Sequence, residues 1–94
     1  MNRMKRKILR YSAVFDPAQE GGFNVSFPDF PGCVTFGRSF EDAKENAREV
    51  LELWLTELAA GGEKIPVFDH RPIIDDVEIS LPANVRLSHA ANHR

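Results

Sequence analysis

The sequence predicts an α+β domain in the order β-β-β-α-β, a small, mostly antiparallel sheet with one helix packed on a face. Three observations predict it. Apolar and polar residues alternate in short runs at 8–15, 23–27 and 77–81, as in strands with one buried face. Turn-forming residues separate the early runs at 16–22 and 30–33. Between Ser39 and Gly61-Gly62, apolar residues recur at helical spacing with a capping residue ahead of them and glycines behind.

The first strand, residues 8–15, places Leu9, Tyr11, Ala13 and Phe15 on one face and Ile8, Ser12 and Val14 on the other. Asp-Pro-Ala-Gln-Glu-Gly-Gly at 16–22 has the composition of a hairpin loop. Phe23, Val25 and Phe27 then alternate with Asn24 and Ser26, until Pro28, which lacks an N–H, ends regular pairing or confines it to an edge. In Phe30-Pro31-Gly32-Cys33, proline presets position i+1 of a turn and glycine supplies the positive φ that a type II turn needs at i+2. Cys33, Val34, Thr35 and Phe36 resume an extended pattern that Gly37 closes.

The helix follows. Ser39 is placed to act as N-cap, and Asp42, three residues on, is a shorter stand-in for the capping-box acid. Glu41 and Asp42 also lie where the helix dipole favours negative charge. Phe40, Ala43, Ala47, Val50, Leu51, Trp54, Leu55 and Leu58 form one apolar stripe, in which Trp54 reads as a core anchor. Gly61-Gly62 ends it, since glycine tolerates the left-handed position after a helix. From Glu41 to Glu57 the polar face carries six acids (Glu41, Asp42, Glu45, Glu49, Glu52, Glu57) against two bases, Lys44 and Arg48. Such a face is either simply solvated or a docking surface for a basic partner, with Leu53, which projects off the stripe, as an apolar anchor.

After the helix, residues 63–72 read as irregular, with prolines at 66 and 72. Val77, Ile79 and Leu81 alternate with Glu78 and Ser80 as a final strand stopped by Pro82. Residues 83–94 show no periodicity, which predicts a single domain over 1–82 and a flexible C-terminal tail over 83–94. A small sheet has two open edges, which predicts a homodimer or dimer of dimers involving the 77–81 strand or the helix.

A chain of 94 residues supports one modest core. Its 43% hydrophobic and 28% charged content is that of an ordinary globular protein. The single cysteine, Cys33, forms no intramolecular disulfide, which fits a cytoplasmic location. No segment approaches the length of a membrane span, so no membrane partner is expected. A net charge of −2 argues against nucleic-acid binding by the molecule as a whole. The basic arm Arg3, Lys5, Arg6, Lys7 and Arg10 leaves open a nucleic-acid-binding regulatory role, with affinity that falls as salt rises.

No catalytic constellation stands out, and neither a cofactor nor a metal is expected. Cys33 has no histidine or acid beside it in sequence to activate it. His89 and His93 have an i, i+4 spacing but no third ligand, and His70 beside Asp69 reads as surface. Asp16 ends the first strand, and metal chemistry there would need several further carboxylates to converge on it.

The residues Gly21-Gly22-Phe23, then Phe27-Pro28-Asp29-Phe30-Pro31-Gly32-Cys33 with Thr35 and Gly37, then Ala43, Asn46 and Ala47, and finally Ile65-Pro66, closely resemble the HicB antitoxin family. The resemblance covers residues 9–66. It implies a partial RNase H fold that lacks the catalytic carboxylates, and a protein that is not an enzyme. It further implies a partner, a small basic HicA-like toxin that cleaves mRNA and whose active site the antitoxin covers. The residues expected at that contact are Glu41, Glu45, Glu49, Glu52 and Leu53 on the helix, with Asp29 and Phe30 in the turn. Full-length members carry a C-terminal helix-turn-helix or ribbon-helix-helix module. Residues 77–94 are too few for either, which weakens the case for operator DNA as a partner. An orphan HicB-like domain without a toxin is the alternative.

Overall fold

A computed structural model describes residues 6–69 and 71–89 of the chain. Three strands, β1 (Val14–Pro17), β2 (Phe23–Ser26) and β3 (Val34–Gly37), form an antiparallel sheet in the order β1-β2-β3, and the helix α1 (Phe40–Ala60) packs on one face.

Each connection has a local cause. Between β1 and β2, Gly21 N–H donates to the Ala18 carbonyl (3.0 Å) and Ala18 N–H to the Gly22 carbonyl (2.9 Å). Gly21 takes φ +103°, the left-handed residue of a three-residue hairpin loop. Between β2 and β3 two reverse turns follow one another. Phe30 N–H donates to the Phe27 carbonyl and Cys33 N–H to the Phe30 carbonyl, each at 3.0 Å, with Gly32 at φ +96° as a type II turn requires.

The register sets the faces. Phe15, Val25 and Thr35 lie in one cross-strand row, and Pro17, Phe23 and Gly37 in another. Both rows face α1. Val14, Asp16, Asn24, Ser26, Val34 and Phe36 alternate onto the opposite face. Val25, Phe27, Phe30, Cys33, Ala43 and Ala47 form the buried core, with Tyr11, Ala13 and Phe15 packed against it.

The helix begins and ends as its capping residues dictate. Asp42 N–H donates to Ser39 Oγ (3.1 Å), and the Asp42 carboxylate accepts from Arg38 N–H (2.9 Å), one residue before the cap. At the other end Gly62 N–H donates to the Ala59 carbonyl and Glu63 N–H to the Leu58 carbonyl, both at 3.0 Å. With Gly62 at φ +84°, this is a Schellman ending. Asn46 ties helix to sheet, donating from Nδ2 to the Phe36 carbonyl at 2.8 Å. Replacing Asn46 by alanine is expected to cost about 1 kcal/mol, the net worth of one such bond, measured by urea unfolding. An unchanged midpoint would show that the bond is replaced by water without loss.

The structure departs from the sequence expectations at three places. The first strand pairs only over Val14–Pro17, because its partner leaves the sheet at Ser26 for the Phe27 turn, so residues 8–13 have no strand opposite them among the described residues. The apolar stripe of α1 is fully buried only at Ala43 and Ala47. A helix of 21 residues runs about 31 Å, while strands of four residues span about 13 Å, so its second half overhangs the sheet. Among the described residues, the strand expected at 77–81 pairs with no other. Among the described residues, 71–89 form no strand, and their apolar side chains, Ile79 at 71% exposure among them, stand in solvent. Alternation supplies a strand with one apolar face, but a strand also needs an edge to pair with. His70, His93, Arg3 and Lys5 lie outside the described residues.

Candidate partner-binding surface

Four of the residues expected at a contact surface, Glu45, Glu49, Glu52 and Leu53, lie together on the exposed side of α1, with Glu41 one turn earlier. Arg48 pairs with Glu45 and, at 3.3 Å, with Glu52. These pairs are exposed and contribute little to stability. They hold Glu45 and Glu52 in an ordered ridge, and Glu41 and Glu49 enter no ion pair among the described residues.

Leu53, 60% exposed, is the only large apolar side chain on this side. It joins the overhanging half of the helix, where Val50, Leu53, Trp54 and Leu58 line an open apolar groove of about 450 Å³ rimmed by Glu57 and Glu63. The last turn of α1 carries no basic residue, so the negative end of the helix dipole adds to both carboxylates. Val50 and Trp54 are half-buried and pack against the core, as the apolar stripe predicts, and only their outer edges, with Leu58, open onto the groove.

The turn residues divide. Phe30 is core rather than contact surface: it is 6% exposed, and its ring meets Tyr11 edge-on at 5.4 Å. Asp29 stays half-buried in the turn, close enough to Tyr11 that its carboxylate adds to burial in holding the phenol above its ordinary range. Tyr11 Oη donates to the Pro66 carbonyl at 2.6 Å, which anchors the chain leaving the helix. The turn also meets the overhanging helix, since a Cβ at Gly32 would lie 3.6 Å from Trp54 Cη2.

A profile described as HicB_like antitoxin of bacterial toxin-antitoxin system matches residues 11–80. The chain belongs to this HicB-like antitoxin family. It is 39% identical over 61 residues to Antitoxin HicB 1 of Photorhabdus laumondii, a match that covers 65% of the chain and 39% of that protein. It is 42% identical over 43 residues to Antitoxin HicB of Escherichia coli K12, covering 46% of the chain and 31% of the relative. A UPF0150 protein of Synechocystis is 30% identical over 64 residues, covering 68% of the chain and 81% of that shorter protein. The HicB-like chain thus spans well under half the length of the relatives that are named antitoxins.

Other candidate residues of this HicB-like chain are placed unfavourably for chemistry. The Cys33 thiol is buried, and burial pushes its pKa up, the reverse of what activates a nucleophile. Asp16 lies on the sheet face away from α1, opposite Asn24. Among the described residues, no three His, Cys, Asp or Glu side chains converge as a metal site would require. Among the described residues, no helix is long and apolar enough to cross a membrane.

Proposed function

We propose that this chain is a cytoplasmic, non-enzymatic protein-binding module that neutralises a small basic HicA-like mRNA-cleaving toxin by covering its active site. The observation that carries the reading is the exposed acidic ridge of α1, Glu41, Glu45, Glu49 and Glu52, set beside Leu53 and the apolar groove it enters. Opposed charge raises the encounter rate and fixes register, while a desolvated apolar anchor supplies the affinity. The Photorhabdus and Escherichia relatives, named antitoxins, support it.

The second part of the proposal concerns self-association. The unpaired alternation at 77–81 pairs with the same segment of a second copy, giving a homodimer or dimer of dimers.

The test is co-expression with the small basic protein encoded beside this gene, tagged for purification. Co-elution and relief of growth arrest are expected, and the triple variant E45K/E49K/E52K is expected to weaken the complex at least tenfold, mainly through slower association. A complex that survives charge reversal would move the interface off α1. The absence of any complex would make this an orphan domain.

A further inference from the structure

The flank of α1 opposite the Leu53 groove is basic, although the chain as a whole is acidic. Arg10, Lys44, Arg48 and Arg71 line an open groove of about 530 Å³ between the helix and the extended N-terminal segment. Arg48 also belongs to an adjoining groove of about 350 Å³ that Arg6 and Lys7 extend. Six cations from three separate parts of the sequence therefore follow one path. The single acid along it, Glu52, is already engaged by Arg48.

Among the described residues the ion pairs fall on Arg48, so Arg6, Lys7, Arg10, Lys44 and Arg71 present uncompensated charge. Arg71 reaches only Ser12, with Nε 3.5 Å from Oγ, at the outer limit of a hydrogen bond. Lys44 Nζ stands 6.0 Å from the centre of the Phe40 ring, a cation–π contact that leaves its donors available. Like charges held along one track repel each other unless an anion lies between them.

We propose that this track binds the backbone phosphates of a nucleic acid strand, a role distinct from toxin binding. The cations are exposed and strung along a groove, which suits a polymer of repeating charge. Among the described residues there is no buried polar cradle that would close around a lone phosphate. Four of the six are arginines, whose planar guanidinium matches two phosphate oxygens at once. The apolar floor, with Ala13, Phe15 and Leu51, has no row of groups to read base edges, so recognition is of charge and not of sequence. The basic track adjoins the acidic ridge along α1 and meets it at the Arg48–Glu52 pair, while its other cations, Arg6, Lys7, Arg10, Lys44 and Arg71, lie off the ridge.

Fluorescence anisotropy of the full chain with labelled single-stranded RNA and with labelled duplex DNA tests this across a salt series. Binding is expected to weaken with salt, with a log–log slope of about −3.5 to −5.5 if five or six phosphates are engaged. The double charge reversal R10E/R71E, at two exposed positions, is expected to lower affinity more than tenfold and to flatten the slope by about 1.5 to 2. The matched surface variant K64E, outside the groove, is expected to leave both unchanged. Circular dichroism on all three proteins establishes that each is folded. Binding without salt dependence, equal losses in R10E/R71E and K64E, or displacement of the RNA by polyglutamate at the same charge concentration would each overturn the proposal. The last result would assign the track to an acidic protein surface.

Discussion

Replacing Gly37 by alanine is expected to destabilise the fold strongly. A Cβ at this position would lie 2.2 Å from Ala43 N, 2.3 Å from Ala43 Cα and 2.7 Å from Ala43 Cβ, where real contacts are never so short. The obstacle is backbone, so no side-chain rotation relieves it. Ala43 is held in the first turn of α1 by its N–H bond to the Ser39 carbonyl at 2.8 Å. The helix can escape only by lifting off β3, which would open the core around Val25 and Cys33. Overpacking costs about 1–3 kcal/mol where side chains can adjust, and a rigid backbone clash belongs at or above the upper end. For a domain this small, that corresponds to a fall in Tm of roughly 10–20 °C.

Thermal unfolding followed by circular dichroism measures this effect. Gly61→Ala is the control: its Cβ would meet the Glu57 and Leu58 carbonyls at an ordinary 3.6 Å, with φ at −84°. It is expected to change Tm by only a few degrees. Equal behaviour of the two variants would show that α1 does not cross β3 as closely as Gly37 allows.

The second large effect is expected at the unpaired C-terminal run. The chain should be a dimer or larger in solution, and the double variant V77K/I79K should be monomeric. Val77, Ile79 and Leu81 are exposed at 83%, 71% and 56%, and Ile73 and Ile74 precede them at 91% and 80%. So many large aliphatics in one short run do not suit a solvated tail. Burying a side chain of this kind is worth about 1.5–3 kcal/mol, so two lost from each copy remove roughly 6–12 kcal/mol. Association itself costs about 4–15 kcal/mol, so such a loss is enough to dissolve the pair. Multi-angle light scattering across a concentration series settles it. A monomeric wild-type chain at high concentration, or an unchanged mass in the variant, would remove this segment from the interface.

The exposed run also locates the boundary between what sequence and structure each contribute. Its alternation was legible, as was the apolar face it implied, but a strand is completed by a partner, and among the described residues none stands opposite it. The same holds for residues 8–13. Their alternation places Tyr11 and Ala13 correctly toward the core, yet pairing begins only at Val14 because β2 turns away at Phe27.

Other elements were determined almost entirely by local chemistry. Pro31-Gly32 makes its turn because proline and glycine have few alternatives there, and Ser39 and Gly62 bound the helix through bonds made within a few residues. The membership of the HicB-like family was legible in the same residues, because the Phe-Pro-Asp-Phe-Pro-Gly-Cys turn and the Ala43, Asn46 and Ala47 spacing are short local signals. What only the tertiary structure decided are the contacts between distant segments. They include the inward aim of Phe30, the steric demand on Gly37, the open groove beside Trp54, and the meeting of Arg10, Lys44 and Arg71 along one track. Backbone preference and capping act over one turn of chain and so can be read from sequence. These contacts depend on the angle and reach of a long helix over a short sheet, which no local pattern encodes.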